Sequence, residues 1–159
     1  MATRELVAEL GIIVEHQRFA GRWVTESWRV IGVIAGPTPA PSWRRIAEGR
    51  GFVQYLACNL PLQLHRSDAT SYRINLQDEM PKLYVSLRRV GDDAFPYQPF
   101  KITAAPDEAQ HFSESGDDLV EAVAMPAELA ARLADFVARY PIDEPFSKRQ
   151  RTRWGDDGR

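Results

Sequence analysis

The chain has 159 residues and a formal net charge of −2; hydrophobic residues make up 44% of it and charged residues 26%. This length suits one domain with a buried core, and the composition is ordinary for a globular protein, so disorder is not the default. The slightly acidic balance argues against a general nucleic-acid-binding protein, because neutralising phosphates requires a surplus of basic residues.

One cysteine, Cys58, excludes an internal disulfide and is consistent with a reducing compartment. It follows the apolar run 53–57, where a buried structural thiol is more common than a reactive one. No apolar run approaches the ~20 residues of a membrane-spanning helix, and the N-terminus lacks the basic-then-apolar pattern of a signal peptide. We therefore expect a cytoplasmic protein with no membrane or nucleic-acid partner; its oligomeric state stays open.

The first third of the chain predicts two strands and a short helix. Residues 10–16 are rich in β-branched side chains and predict the first strand, and residues 22–35 predict a second extended segment. A stiff surface loop follows at residues 36–41, because its three prolines fix φ and remove backbone donors. A short helix is then predicted over residues 43–48, between a serine suited to cap it and a glycine suited to end it.

Residues 52–90 carry the most regular pattern. Period-two alternation predicts strands with one buried face. The short polar connections between the runs favour antiparallel pairing, so this stretch predicts a meander. Three runs alternate in this way: Leu60, Leu62 and Leu64; Tyr72, Ile74 and Leu76; and Leu83, Val85 and Leu87.

The remainder adds strands at residues 100–104 and 119–125, a short helix that begins at Pro106, and a longer helix over residues 126–140. We expect an α+β fold: a curled or barrel-like antiparallel sheet of about six or seven strands, with the C-terminal amphipathic helix packed on it. The globular domain should span residues 1–146, followed by a basic, flexible tail at 147–159. One apolar stripe identifies the last helix: Leu129, Leu133, Phe136, Val137 and Tyr140.

No residue pattern indicates a catalytic centre. The three histidines, His16, His65 and His111, lie in different elements and not at metal-ligand spacing. The chain has neither a Gly-x-Ser-x-Gly nucleophile elbow nor a dinucleotide-binding glycine fingerprint. We therefore predict no metal, no cofactor and no catalytic residue, and we favour a binding protein over an enzyme.

Two features are left to carry recognition. If the meander pairs as predicted, its polar face presents five side chains suited to a ligand or partner, the alternative being a plain solvated face: His65, Arg73, Asn75, Tyr84 and Arg88. The tail is either a solubility feature or a segment that docks on an acidic partner, through Lys148, Arg149, Arg151, Arg153 and Trp154. The other three tryptophans, Trp23, Trp28 and Trp43, are better explained as core residues than as a recognition surface.

The order and spacing of several segments resemble a family of uncharacterised proteobacterial proteins encoded beside molybdenum-dependent formate dehydrogenases. The resemblance covers most of the chain, and no single motif in it is diagnostic. The segments are Val14–His16, Trp23 with Trp28–Val30, Tyr72–Leu76, Leu83–Arg88, Ala105–Ala109 and Glu144–Arg149. Relatives are sometimes labelled molybdopterin-guanine dinucleotide biosynthesis proteins, a label that implies a Gly-rich nucleotide loop after the first strand. Here Glu15-His16-Gln17-Arg18 follows instead, so we do not adopt that label.

The resemblance implies a role around formate dehydrogenase or its molybdenum cofactor and supplies no catalytic residues. We therefore expect a non-catalytic accessory protein that binds a formate dehydrogenase component during assembly or maturation. The alternative is a small-molecule module that binds a pterin or a nucleotide phosphate on the polar sheet face.

Overall fold

The structure is a computed structural model that describes residues 4–19, 21–23, 25–36, 42–114, 116 and 118–140. Within these ranges the chain forms seven strands and three α-helices, and a 3-10 turn at Arg66–Asp68 joins β4 to α1. In chain order they are β1 (Arg4–Phe19), β2 (Thr25–Ala35), β3 (Arg44–Gly49), β4 (Phe52–His65), α1 (Ala69–Leu76), β5 (Lys82–Arg89), β6 (Tyr97–Thr103), α2 (Pro106–Glu114), β7 (Asp118–Ala124) and α3 (Ala127–Arg139).

The strands form two antiparallel sheets. The larger has the order β2-β1-β4-β3 and the smaller has the order β6-β5-β7. The sheets contact each other where β4 meets β6 and where β2 meets β7. The predicted α+β fold with antiparallel strands and a C-terminal helix is confirmed, and the two sheets are not closed into a barrel.

Both sheets turn an apolar face to one shared core. Alternate residues of β1 and of β5 are fully buried there, as period two requires. Burying an aliphatic side chain of this size contributes about 1.5–3 kcal/mol, so these positions carry much of the stability. The fully buried residues on the two strands are Leu10, Ile12, Val14, Leu83, Val85 and Leu87.

Helix α3 packs its predicted stripe into this core, with Leu129, Leu133, Phe136 and Val137 buried. Two arginines tie its outer side to the start of β1. Arg139 pairs with Glu5 at 2.8 Å, and Arg132 donates to the Val7 carbonyl. The predicted helix over residues 126–140 is therefore confirmed, and it lies at the end of the molecule where β1 begins.

The predicted strand at Tyr72–Leu76 is wrong, because these residues lie in helix α1. The buried positions Ala69, Tyr72 and Asn75 recur every three residues, whereas Ile74 of the apparent alternation is 55% exposed. Two of the helix's buried positions, Ser71 and Asn75, are polar, and this hid the helical period. The two flanking runs are strands as predicted, β4 and β5, but they lie in different sheets and form no meander.

The predicted helix over residues 43–48 is also wrong. Trp43 has a φ of 61°, a left-handed conformation that cannot start an α-helix, and its amide donates to the Ala57 carbonyl at 3.0 Å. Residues Arg44–Gly49 then pair with β4 as an edge strand. Every residue of β3 is exposed, so its sequence shows no alternation of apolar and polar residues from which a strand could be predicted.

The other predicted strands and the second helix are confirmed. The strands predicted at residues 10–16, 22–35, 100–104 and 119–125 correspond to β1, β2, β6 and β7, with ends that differ by a few residues, and the helix that begins at Pro106 is α2. Residues 37–41 of the predicted loop lie outside the described residues. The tail residues Lys148, Arg149, Arg151, Arg153 and Trp154 lie outside the described residues.

Candidate functional site

The structure separates the five residues that the sequence placed on one polar face. Arg73 and Asn75 lie on helix α1, His65 ends β4, and Tyr84 and Arg88 lie on β5 in the other sheet. The prediction of a common sheet face is therefore wrong. Whether any of the five binds a ligand or a partner stays a prediction.

Asn75 holds three parts of the fold together. Its side-chain amide donates to the carbonyls of Lys82 and Ala104 at 2.7 and 2.8 Å, and its oxygen accepts from the Lys82 amide at 3.0 Å. These bonds join α1 to the start of β5 and the end of β6. Because the side chain is 4% exposed and occupied in this way, it contributes to structure.

Arg73 closes the C-terminal end of helix α3. Its Nη2 donates to the carbonyls of Val137 and Tyr140 at 2.6 and 2.7 Å. A cation at this position satisfies carbonyl groups that a helix leaves unpaired and complements the helix dipole. Arg73 therefore links α1 to α3.

Tyr84 and Arg88 lie on the face of β5 opposite the core residues of that strand, and Ser86 between them is buried. Burial raises the pKa of Tyr84, and the carboxylate of Asp78 adds to the effect. Arg88 pairs with Asp118 at 3.3 Å, and its guanidinium lies 3.6 Å from the centre of the Phe100 ring. Both of these contacts hold Arg88 against neighbouring elements.

Two cavities adjoin members of the predicted set. His65 lines one of about 270 Å³, together with Arg4, Lys101 and Glu108. Arg88 lines a larger one of about 760 Å³, and this volume lies within the usual range of small-molecule sites. The larger cavity also includes Arg89, Tyr97, Gly116 and Asp118.

A different surface shows the features of a recognition site. At the end of the molecule where β1 finishes, the β1–β2 hairpin exposes Phe19 by 54% and Trp23 by 80%. The turn between β3 and β4 lies beside it, because the Arg18 amide donates to the Gly51 carbonyl at 2.9 Å. We call this surface the hairpin end and define it as Arg18, Phe19, Arg22, Trp23 and Arg50.

The prediction that Trp23 is a core residue is wrong. Trp23 lies outside the paired positions of the hairpin, the last of which joins Phe19 to Thr25. Its neighbours Gly21 and Arg22 indicate a loop, and that signal was available from the sequence. Trp28 is buried as predicted, and Trp43 is half-buried against the core.

A cluster of rings supports the hairpin end from within. His16 of β1 stacks on its cross-strand partner Trp28 of β2, with ring centres 4.0 Å apart. Trp43 stacks on Phe95 at 4.4 Å, and Tyr55 meets Phe95 edge-on at 5.3 Å. Such pairs each add about 0.5–1.5 kcal/mol beyond area burial, so the base of the hairpin is held firmly.

The charges of the hairpin end are mainly positive. Arg18 pairs with Glu26 at 3.4 Å, and in β3 Arg45 pairs with Glu48 at 3.0 Å. Arg22 and Arg50 are exposed and form no ion pair with any residue that the structure describes. The surface therefore presents two exposed aromatic side chains beside unpaired cations.

No group of three His, Cys, Asp or Glu side chains within the described ranges could hold a metal ion. Among the helices that the structure describes, none is both long and apolar enough to span a membrane.

A family model with the description "Protein of unknown function (DUF3305)" matches residues 9–150. No curated protein and no solved structure matches the chain. The matched range contains the hairpin end and all five residues of the predicted set.

Proposed function

Because the chain belongs to the DUF3305 family, whose description states no function, we propose one from its surface: a non-catalytic accessory protein that works by binding another protein. We further propose that the partner is a component of a molybdenum-dependent formate dehydrogenase and that binding takes place during assembly or maturation. The observation that carries the binding role is the exposure of Phe19 and Trp23 at the hairpin end, which also carries exposed arginines.

Tryptophan and arginine are enriched among the residues that dominate the energy of protein interfaces, and large aromatic side chains dominate buried area. Burying an aromatic ring on a partner removes roughly 150–250 Å² of surface from water. At about 25 cal/mol per Å² this is worth up to several kcal/mol before association costs. An exposed Trp23 next to an exposed Phe19 is therefore a suitable anchor for a partner.

The choice of formate dehydrogenase has a separate support. It follows from the resemblance of the segments quoted above, among them Val14–His16 and Leu83–Arg88, and the geometry of the hairpin end does not bear on it. The proposed binding role and the proposed partner can therefore be contradicted independently of each other.

The experiment is co-purification from the native host, followed by gel filtration of the purified components. We expect the wild-type protein to elute with a formate dehydrogenase component and the Trp23→Ala variant to elute alone. Ile74→Ala is the matched control, because Ile74 is 55% exposed on helix α1 at the other end of the molecule. A wild-type protein that elutes without any dehydrogenase component would contradict the proposed partner.

The second candidate function is a small-molecule module for a pterin or a nucleotide phosphate. The cavity of about 760 Å³ beside Arg88 favours it, because Arg89 adds a second guanidinium to the lining. In that case GTP should bind measurably by calorimetry, and Arg89→Ala should weaken binding about tenfold or more. Absence of any heat with millimolar GTP would exclude GTP as the ligand of this cavity.

A further inference from the structure

We propose that the hairpin end binds an acidic segment of the partner protein, with an apolar side chain seated on Phe19 and Trp23 and carboxylates facing Arg22 and Arg50. This inference rests on the proposed protein-binding function and adds the chemistry of the partner.

The local charge balance selects an acidic partner. Three arginines, Arg18, Arg22 and Arg50, stand on this surface. Two exposed glutamates of this region are paired with arginines: Glu26 lies against Arg18, and Glu48 lies against Arg45. The positive charge of Arg22 and Arg50 is therefore available to an incoming carboxylate, although the chain as a whole is negative.

His16 lies at the base of the hairpin, beside Glu26. Its Nε2 is buried without a hydrogen bond, and Glu26 Oε2 lies 3.7 Å away. The ring itself is stacked on Trp28 behind the hairpin. The exposed arginines therefore provide the charged contacts to the partner, and His16 supports the base of the hairpin.

The apolar part of the surface requires an apolar side chain on the partner. Phe19 closes the paired part of the hairpin opposite Thr25, and Trp23 lies in the short loop between them. The two exposed side chains are four residues apart in the chain, at the same end of the hairpin. An aliphatic or aromatic residue flanked by aspartate or glutamate fits both halves of the surface.

The strands below the hairpin end are held in place at their base. His16 stacks on Trp28, and the neighbouring turn is joined by the hydrogen bond from the Arg18 amide to the Gly51 carbonyl. A fixed base limits the conformational entropy that is lost on binding.

A protein segment fits this surface better than a polyanion. Nucleic-acid binding typically engages about 6–10 phosphates, and three arginines on a chain of net charge −2 cannot supply that many contacts. Two unpaired arginines and two exposed rings match a short stretch in which a few carboxylates flank one apolar residue.

The test uses the full-length protein and two probes, measured by calorimetry or by NMR chemical-shift changes. One probe is a peptide with a central leucine flanked by two glutamates on each side, and the other is the purified formate dehydrogenase subunits. We expect Arg22→Glu/Arg50→Glu to weaken both interactions about tenfold at low salt, because attraction becomes repulsion. Trp23→Ala should weaken binding of the dehydrogenase subunits at least about thirtyfold.

The matched control for the charge reversal is Arg66→Glu/Lys82→Glu. It changes the net charge by the same amount at exposed positions near α1, away from the hairpin end, and it should leave both interactions within about twofold of wild type. Circular dichroism of each variant confirms that it is folded before binding is measured.

The outcomes separate the two proposals. Peptide binding that needs Arg22, Arg50 and Trp23, without any binding of dehydrogenase subunits, supports the acidic-segment site and contradicts the proposed partner. If the dehydrogenase subunits still bind both Arg22→Glu/Arg50→Glu and Trp23→Ala, the acidic-segment site is overturned, whereas the proposed partner is supported. The acidic-segment site is also overturned if the wild-type protein does not bind the peptide. The same conclusion follows if it binds anionic phosphatidylglycerol vesicles instead of the peptide, in a way that depends on Trp23.

Discussion

At the scale of single residues, the side chains that the sequence singled out for recognition include two that organise the fold. Arg and Asn are typical of binding sites, but they are equally suited to satisfy backbone groups inside a structure. Asn75 does so between α1, β5 and β6, and Arg73 does so at the end of α3. Residue type alone could not distinguish the two uses, because the difference lies in which backbone groups the fold brings near.

The bonds of Asn75 predict a large loss of stability when they are removed. Asn75→Ala leaves the Lys82 amide and the carbonyls of Lys82 and Ala104 without their side-chain partner in a buried region. We expect the free energy of unfolding to fall by about 2–4 kcal/mol, measured by urea denaturation. Gln77→Ala, at an exposed position just after the same helix, should cost less than about 0.5 kcal/mol. Equal losses of unfolding free energy in the two variants would show that the Asn75 hydrogen bonds do not contribute appreciably to stability.

Cys58 predicts slow thiol chemistry in the folded protein. Burial raises the pKa of Cys58 to about 11, so at pH 8 the folded state holds about a hundredfold less thiolate than a thiol of pKa 9.0. Reaction with a disulfide reagent at pH 8 should be correspondingly slower in buffer than in urea. Similar rates in the two conditions would mean that Cys58 is a reactive thiol.

The same shift predicts how stability changes with pH. The folded state holds the Cys58 proton more tightly than the unfolded state, so the stabilisation is complete below about pH 9 and is lost as the pH rises towards 11. Burial also raises the pKa of Tyr72 to about 12, and that contribution is lost only above about pH 10. Between pH 8 and pH 10 the wild type should therefore lose more stability in urea denaturation than Cys58→Ala does. Parallel losses would contradict the assignment to Cys58.

At the scale of elements, the sequence predicted the parts of the fold whose burial follows a simple period. The β5 run Leu83, Val85 and Leu87 and the α3 stripe were readable because one face of each is apolar and buried. Two elements gave misleading signals for physical reasons. In α1 the polar Asn75 occupies a buried helical position, and β3 is an exposed edge strand whose register is set by pairing with β4.

The contact between α1 and α3 leads to a prediction about element stability. Arg73→Ala removes two charge-assisted hydrogen bonds to the last turn of α3, and we expect a loss of about 1.5–3 kcal/mol in urea denaturation. Backbone amides near residues 137–140 should exchange faster in that variant. Arg66→Ala is the control, because exposed Arg66 contacts the same region only through the Tyr140 ring, at 5.3 Å. An unchanged pattern of amide exchange in Arg73→Ala would contradict the role of Arg73 in capping α3.

At the scale of the whole molecule, β1 separates two ends with different roles. The strand has 16 residues and so extends over about 50 Å, from the end with α1 and α3 to the hairpin end. The helical end is closed by hydrogen bonds and ion pairs from Arg73, Arg132 and Arg139. The hairpin end exposes two rings and unpaired arginines above a stacked aromatic cluster. The sequence could not reveal this arrangement, because it depends on how the β1–β2 hairpin and the β3–β4 turn meet at one end of the larger sheet.

Amide hydrogen exchange of the full-length protein, with and without purified formate dehydrogenase subunits, tests most directly whether the hairpin end is the binding surface. A partner seated there should slow exchange in a peptide covering residues 17–25 and in one covering residues 48–52, and should leave helices α1 and α3 unchanged. Protection confined to the helical end, or no protection anywhere in the presence of the dehydrogenase, would contradict the assignment of partner binding to the hairpin end.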